Sequence, residues 1–224
     1  MKRYLIGSTL LLSSFIAPSF AEESKNFYLS IGGGLAFPSD IEGDATLSGT
    51  KVEAKFPTDD PFFYSVGIGK EINDWRLEFN YAGTTVSTDS ITATSGGSGV
   101  TASITPNLEA DAKIYMLYGY KNFSNEGKFT PYVGLGLGAA TLKTKDTTVT
   151  VSGTDLALLG SSETVFSYAL KGGADYEIAE NTNLYTEATY QNFSSFTVSE
   201  AGYEDTNYDS INYFGISAGL RFKF

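Results

Sequence analysis

The sequence predicts an all-β chain: an eight-stranded antiparallel up-and-down transmembrane β-barrel with long extracellular loops. Three observations carry this expectation. Apolar residues alternate with polar or small ones at period two through eight segments. The connections between those segments are short and long by strict turns. The face opposite the apolar one is mainly Gly, Ala, Ser and Tyr with a few charges of both signs, rather than the Lys, Glu, Ser and Thr that a water-facing sheet carries.

Ahead of the first strand, residues 1–21 read MKRYLIGSTLLLSSFIAPSFA. Lys2 and Arg3 precede an apolar stretch from Tyr4 to Ile16, small residues stand at Ser19 and Ala21, and Glu22 opens an acidic start. That is the pattern of an export signal cleaved between Ala21 and Glu22. Gly7, Ser8, Thr9, Ser13 and Ser14 interrupt the stretch, which is short for a membrane anchor. Residues 22–224 are then expected to form one barrel domain outside the cytoplasm.

The strands follow in order. Phe27, Leu29, Ile31, Leu35 and Phe37 share one face, against Tyr28, Ser30, Gly32, Gly34 and Ala36. Phe62, Tyr64, Val66 and Ile68 then oppose Phe63, Ser65, Gly67 and Gly69. Trp75, Leu77, Phe79 and Tyr81 oppose Arg76, Glu78 and Asn80. In the fourth segment Ala112, Ile114, Met116, Tyr118 and Tyr120 read as the apolar face, against Lys113, Tyr115, Leu117 and Gly119. Val133, Leu135, Leu137 and Ala139 oppose Tyr132, Gly134, Gly136 and Gly138. Phe166, Tyr168, Leu170, Ala174 and Tyr176 oppose Ser167, Ala169, Lys171, Gly173 and Asp175. Leu184, Thr186, Ala188 and Tyr190 oppose Tyr185, Glu187, Thr189 and Gln191. The last segment sets Phe214, Ile216, Ala218, Leu220, Phe222 and Phe224 against Tyr213, Gly215, Ser217, Gly219, Arg221 and Lys223.

Alternation alone also fits a soluble lipocalin-type barrel. Small and large residues with balancing charges suit instead the cramped interior of a narrow barrel whose apolar face meets lipid. The expected lumenal charge network is Arg76, Glu78, Lys113, Lys171, Asp175, Glu187 and Arg221, with Tyr28, Phe63, Tyr115, Tyr132, Tyr185 and Tyr213 crowding the same space. Aromatics sort into two interfacial belts. Phe27, Trp75, Tyr120, Tyr176 and Phe224 are expected at the periplasmic side, and Phe37, Phe62, Tyr81, Phe166, Tyr190 and Phe214 at the outer one.

Short turns are read near Glu71 to Asp74, Asn122 to Lys128 and Glu177 to Thr182. Long connections run from Ser39 to Asp60, Gly83 to Asp111, Leu142 to Thr164 and Asn192 to Ser210. Three of them hold Thr- and Val-rich arms around Ser48-Gly49, Gly96 to Gly99 and Ser152-Gly153, which favours hairpins projecting above the membrane.

Composition bounds the chemistry. The 224 residues include no His and no Cys, so thiolate nucleophiles, disulfides, Cys/His zinc sites, histidine-ligated haem and Ser-His pairs are excluded. With 15 Lys+Arg against 26 Asp+Glu, nucleic acid is not expected as a partner. Histidine-free catalysis by paired carboxylates stays formally open, for instance with Glu78 and Glu187 as acid and base; inward carboxylates beside Arg76, Lys171 and Arg221 read more simply as ion-pair partners. Gly134, Gly136 and Ala139 mimic a dinucleotide fingerprint and Gly69-Lys70 a phosphate loop, but no helix opens after the first and Glu71 follows the second. No cofactor or metal is expected. The four long connections hold 16 acidic residues against Lys51, Lys55, Lys143 and Lys145, giving either a solvated rim or one that gathers cations, bridges to lipopolysaccharide through divalent ions, or meets a cationic extracellular partner.

WRLEFNY, FTPYVGLGLG, LYTEATYQ and the closing FGISAGLRFKF together resemble the small eight-stranded outer-membrane barrels: the OmpA transmembrane domain, OmpX, and the Opa-like surface-antigen and porin families of Gram-negative-type bacteria. The resemblance implies an outer-membrane location. It also implies a C-terminal signal for the barrel-assembly machinery, matched by Ile216, Ala218, Leu220, Phe222 and Phe224. The cell-wall-binding domain attached to OmpA-type barrels is not expected, because nothing follows Phe224. Catalytic members among small barrels use histidine, which is absent here. A monomer surrounded by outer-membrane lipid and lipopolysaccharide is expected. Two functional readings stay open: a non-enzymatic structural or surface-interaction role (membrane integrity, adhesion, surface antigen), and a narrow porin-like channel for ions or small solutes.

Overall fold

The computed structural model describes residues 26–47, 50–123, 127–144, 147–151, 154–158, 160–198 and 205–224. Residues 1–25, with the expected cleavage point at Ala21 and Glu22, lie outside them. Fourteen strands occur among the described residues: β1 (Phe27–Pro38), β2 (Ile41–Leu47), β3 (Thr50–Phe56), β4 (Phe62–Ile72), β5 (Trp75–Ser95), β6 (Ser98–Asn122), β7 (Phe129–Thr144), β8 (Thr147–Val151), β9 (Thr154–Leu158), β10 (Ser162–Ala179), β11 (Thr182–Phe193), β12 (Phe196–Val198), β13 (Thr206–Tyr208) and β14 (Ile211–Lys223). Eight of them close a ring. β1 pairs with β4, β4 with β5, β5 with β6 and β6 with β7. β7 then pairs with β10, β10 with β11, β11 with β14, and β14 returns to β1. Every pairing is antiparallel, so no edge strand is left within the span.

The apolar faces of these strands point outward. Phe62, Trp75, Leu135, Leu137 and Ile216 are among the large side chains more than half exposed, and such exposure is tolerable only against lipid. An outer aromatic belt follows the register: Phe37 lies opposite Phe214, Phe214 opposite Tyr190, and Tyr81 opposite Tyr115. Phe27, Trp75, Phe129, Tyr176 and Phe224 lie toward the opposite end, beside the tight turns at Asn73-Asp74 and Glu180-Asn181. Asn73 and Asn181 adopt positive φ there, the conformation Asn tolerates best after Gly.

One strand reverses its expected face. In β6, Met116, Tyr118 and Tyr120 are 1 %, 2 % and 1 % exposed, whereas Tyr115 and Leu117 are 41 % and 52 % exposed. Register explains the reversal: Tyr118 and Tyr120 lie opposite Glu78 and Arg76, whose side chains turn inward. Directly opposed residues share a face. Lys113 therefore points outward and is not part of the lumenal network. Tyr115 likewise leaves the lumen, and Tyr120 leaves the periplasmic belt. Both faces of this strand carry tyrosine, so its own composition did not distinguish them.

The three expected hairpins are present as β2–β3, β5–β6 and β8–β9. The turns at residues 48–49 and 152–153 lie outside the described residues. Gly96 and Gly97 both take positive φ at the tip of β5–β6, as a two-residue hairpin turn requires. The fourth long connection also contains a short ladder, β12–β13, which its sequence did not reveal. Above the belt, β13 pairs with β2, β2 with β3, β3 with β5, and β8 with β6. The hairpins thus form a continuous wall rising from one end of the barrel.

Inside, large and small residues interlock. Tyr118 lies opposite Gly136 and Tyr120 opposite Gly134, and a Cβ at Gly136 would collide with the Tyr118 ring. Gly136→Leu is expected to destabilise the folded barrel by about 1–3 kcal/mol through overpacking. Tyr118→Ala in the same chain should recover part of that loss in urea unfolding followed by gel mobility. Stability unchanged by Gly136→Leu alone would contradict the packing described.

Candidate functional site

The lumen holds six of the seven expected charges. Arg76 (β5), Asp175 (β10) and Arg221 (β14) meet toward the periplasmic end. Arg76 Nη1 donates to Asp175 Oδ2 at 2.6 Å, and Arg221 Nη1 donates to Oδ1 of the same carboxylate. Both arginines are 2 % exposed. Tyrosine rings flank them: Arg76 lies 4.4 Å from the Tyr132 ring centre and 4.8 Å from that of Tyr120. Arg221 lies 5.0 Å from Tyr185 and 5.2 Å from Tyr28. Ring faces attract cations most strongly where water is excluded.

The next layer outward pairs Lys171 Nζ with Glu187 Oε1 at 2.7 Å. Tyr132 donates its hydroxyl to Glu187 Oε2 at 3.1 Å, and Lys171 sits 4.1 Å from the Tyr118 ring centre. Glu78 accepts from Asn80 Nδ2 at 3.0 Å and Ser30 Oγ at 3.3 Å. Three cations thus face three carboxylates within the span. Above them, Tyr213 donates to Gln191 Oε1 at 2.8 Å, and Gln191 Nε2 donates to Ser167 Oγ at 2.9 Å. Phe63, Phe193 and Ile211 cover this layer.

Sequence reasoning missed two contributors. Glu71 and Lys223 pair at 3.0 Å near the periplasmic end. Each follows the inward parity of its strand, two positions beyond Gly69 and Arg221, which was the available signal. Glu78 and Glu187, the formal acid-base pair, are 2 % and 6 % exposed and both engaged. Ile216, Ala218 and Phe224 lie on the outward face at the end of the chain, with Leu220 and Phe222 of the same parity half-buried.

In the wall, Lys55 bridges Asp40 and Glu42 at 2.9 Å each, and Lys51 bridges Glu53 at 3.3 Å and Asp44 at 3.7 Å. Hydrogen bonds to Asp40 and Glu42 raise the Lys55 ammonium above its usual range, and the bond to Glu53 does the same for Lys51. Among the described residues no group of three or more carboxylates is arranged to hold a metal ion.

A closed ring of eight strands with an apolar outside and a charge-balanced inside is the architecture of bacterial outer-membrane barrels. The model of the outer membrane protein beta-barrel domain family matches residues 7–222. The chain belongs to that family. It is accordingly an outer-membrane protein of a Gram-negative bacterium. It is 32 % identical over 99 residues to the outer membrane protein PagN of Salmonella typhimurium, a match covering 43 % of this chain and 41 % of PagN. The aligned stretch therefore spans about two fifths of that relative.

Solved structures share the fold. The outer membrane protein OprG of Pseudomonas aeruginosa is 16 % identical with a TM-score of 0.59, covering 90 % of this chain and 96 % of its own. The outer membrane protease OmpT of Escherichia coli is 9 % identical with a TM-score of 0.55, covering 92 % and 99 %.

Asp175→Ala leaves two buried arginines without their carboxylate. Removing one side of such a cluster is expected to cost about 3–5 kcal/mol, read as a lower urea midpoint of the detergent-folded barrel. Lys55→Ala, in the exposed wall, should change that midpoint by about 1 kcal/mol or less. Equal effects from the two would contradict the central role of the buried cluster.

Proposed function

We propose that this barrel is a non-enzymatic surface-contact protein that uses a closed transmembrane base to hold an anionic β-wall outside the cell. The observation that carries the reading is the β5–β6 ladder. It runs from Trp75 opposite Lys121 to Ser95 opposite Ser98, with an irregularity between Thr88 and Ser90. A spanning strand needs only about 9–11 residues, and β5 and β6 have 21 and 25. The excess continues as hydrogen-bonded sheet, joined by β3 and β8, and gives the exterior a defined shape for contact or adhesion.

The lumen supports this reading over a narrow pore. Charged, aromatic and amide layers follow one another through the span, with Arg76, Arg221, Tyr28, Tyr120, Tyr132, Met116 and Gln191 almost wholly buried. It also speaks against catalysis inside the barrel, because Glu78 and Glu187 face packed tyrosines and their own partners. The acidic wall favours cationic partners at the cell exterior.

Replacing residues 89–107 by Asn-Gly turns the paired Thr88 and Leu108 into hairpin ends and removes the wall's central ladder. The shortened chain is expected to assemble and to keep its heat-dependent gel migration. Cells displaying it should adhere to epithelial layers no better than cells lacking the protein, whereas the full chain raises adherence. Undiminished adherence by the shortened chain, or none by the full chain, would sink the proposal.

A further inference from the structure

The outward turn of β6 leaves Lys113 in an unusual place. It lies two positions above Tyr115 on the lipid-facing side, where the aromatic belt gives way to polar residues. The register defines its surroundings. Across the same row, Tyr64 (β4) lies opposite Gly83 (β5), Gly83 opposite Lys113, and Lys113 opposite Thr141 (β7). One row below, Val66 lies opposite Tyr81, Tyr81 opposite Tyr115, and Tyr115 opposite Ala139. One row above, Lys143 lies opposite Asp111, which places it diagonal to Lys113.

Tyr64 shares the row of the lysine, and Tyr81 and Tyr115 lie one row below it. The Tyr64 ring lies across Gly83, where a Cβ would come 2.6 Å from the phenol oxygen. Tyr64 and Tyr81 hydroxyls are 3.5 Å apart, and the Tyr81 and Tyr115 rings are 5.3 Å apart. Beyond Lys113, the hydroxyls of Thr141 and Thr164 meet at 3.3 Å. The nearest carboxylate in register, Asp111, accepts from Thr85 Oγ1 at 2.8 Å, and Glu109 stands two positions farther out along β6. Neither Lys113 nor Lys143 forms an ion pair among the described residues.

We propose that this outward face of β4–β7 binds the phosphate of a phosphorylated glycolipid of the outer leaflet, with Lys113 and Lys143 as counter-charges and Tyr64, Tyr81 and Tyr115 as hydrogen-bonding hydroxyls. Depth, charge and shape select this occupant. An ammonium at the upper hydrocarbon boundary is costly unless it reaches an anionic headgroup. The acidic wall above repels other anions, so a ligand held by its own acyl chains against Leu117 and Leu137 has the advantage. Both leucines lie on the same face, paired below Tyr115 and Ala139. The phenol cluster supplies a platform for the sugar to which the phosphate is attached.

The test uses the full mature barrel refolded in detergent and native mass spectrometry with three probes: diphosphorylated lipid A, its dephosphorylated form, and inorganic phosphate as competitor. Heat-dependent gel migration first establishes that each variant is folded. The wild type should retain diphosphorylated lipid A. Lys113→Met should weaken retention about five-fold, and adding Lys143→Met should weaken it further. Lys113→Arg should keep it, and Lys121→Met, at the periplasmic end, should leave it unchanged. The dephosphorylated lipid should bind no better than the double variant binds the phosphorylated one, and inorganic phosphate should not compete at equal concentration. Wild-type retention by Lys113→Met, equal binding of the dephosphorylated lipid, equal loss in Lys121→Met, or displacement by inorganic phosphate would each overturn the proposal.

Discussion

An eight-stranded barrel encloses little more than its own side chains, and a charge placed inside must find a partner there. Asp175 shows how this chain meets that constraint. One carboxylate uses its two oxygens for two arginines from distant strands, and tyrosine rings from β1, β6, β7 and β11 close around both guanidinium groups. Six of the seven other ring strands thereby meet at one buried anion. Charge balance then propagates outward through Lys171 with Glu187, and polarity falls through Gln191 and Ser167 to the apolar cover of Phe63, Phe193 and Ile211.

The exterior follows from the same strands. A strand that turns Arg76 and Glu78 inward must turn Trp75, Leu77 and Phe79 to lipid, because side chains alternate. Continuing it past Tyr81 brings Thr85 and Ser87 to the same outer face, and the strand leaves the membrane without losing its hydrogen-bond ladder. Base and wall are therefore one sheet. A hydrogen-bonded exterior is a direct consequence of strands longer than the bilayer needs.

Much of this was legible in the residues. Seven of the eight spanning strands present the face that their alternation predicts, because Gly, Ser and charges stand on one side and large apolar groups on the other. β6 differs because it carries Tyr115 and Leu117 on one face and Ile114, Met116, Tyr118 and Tyr120 on the other. Only its neighbours decide: Arg76 and Glu78 draw Tyr120 and Tyr118 inward, and Gly134 and Gly136 make room for them. Lys113 looked lumenal because a charge in a spanning strand is expected inside, yet its height matters more than its sign. The β12–β13 ladder was hidden for a different reason: three residues per strand are too few for a period to register.

The lumen is filled by a charge-balanced set of side chains. Conductance of the purified protein in planar bilayers tests it most directly. The wild-type barrel is expected to show no stable unitary channel across physiological salt and voltage. Long-lived channels carrying ions in the intact protein would contradict it.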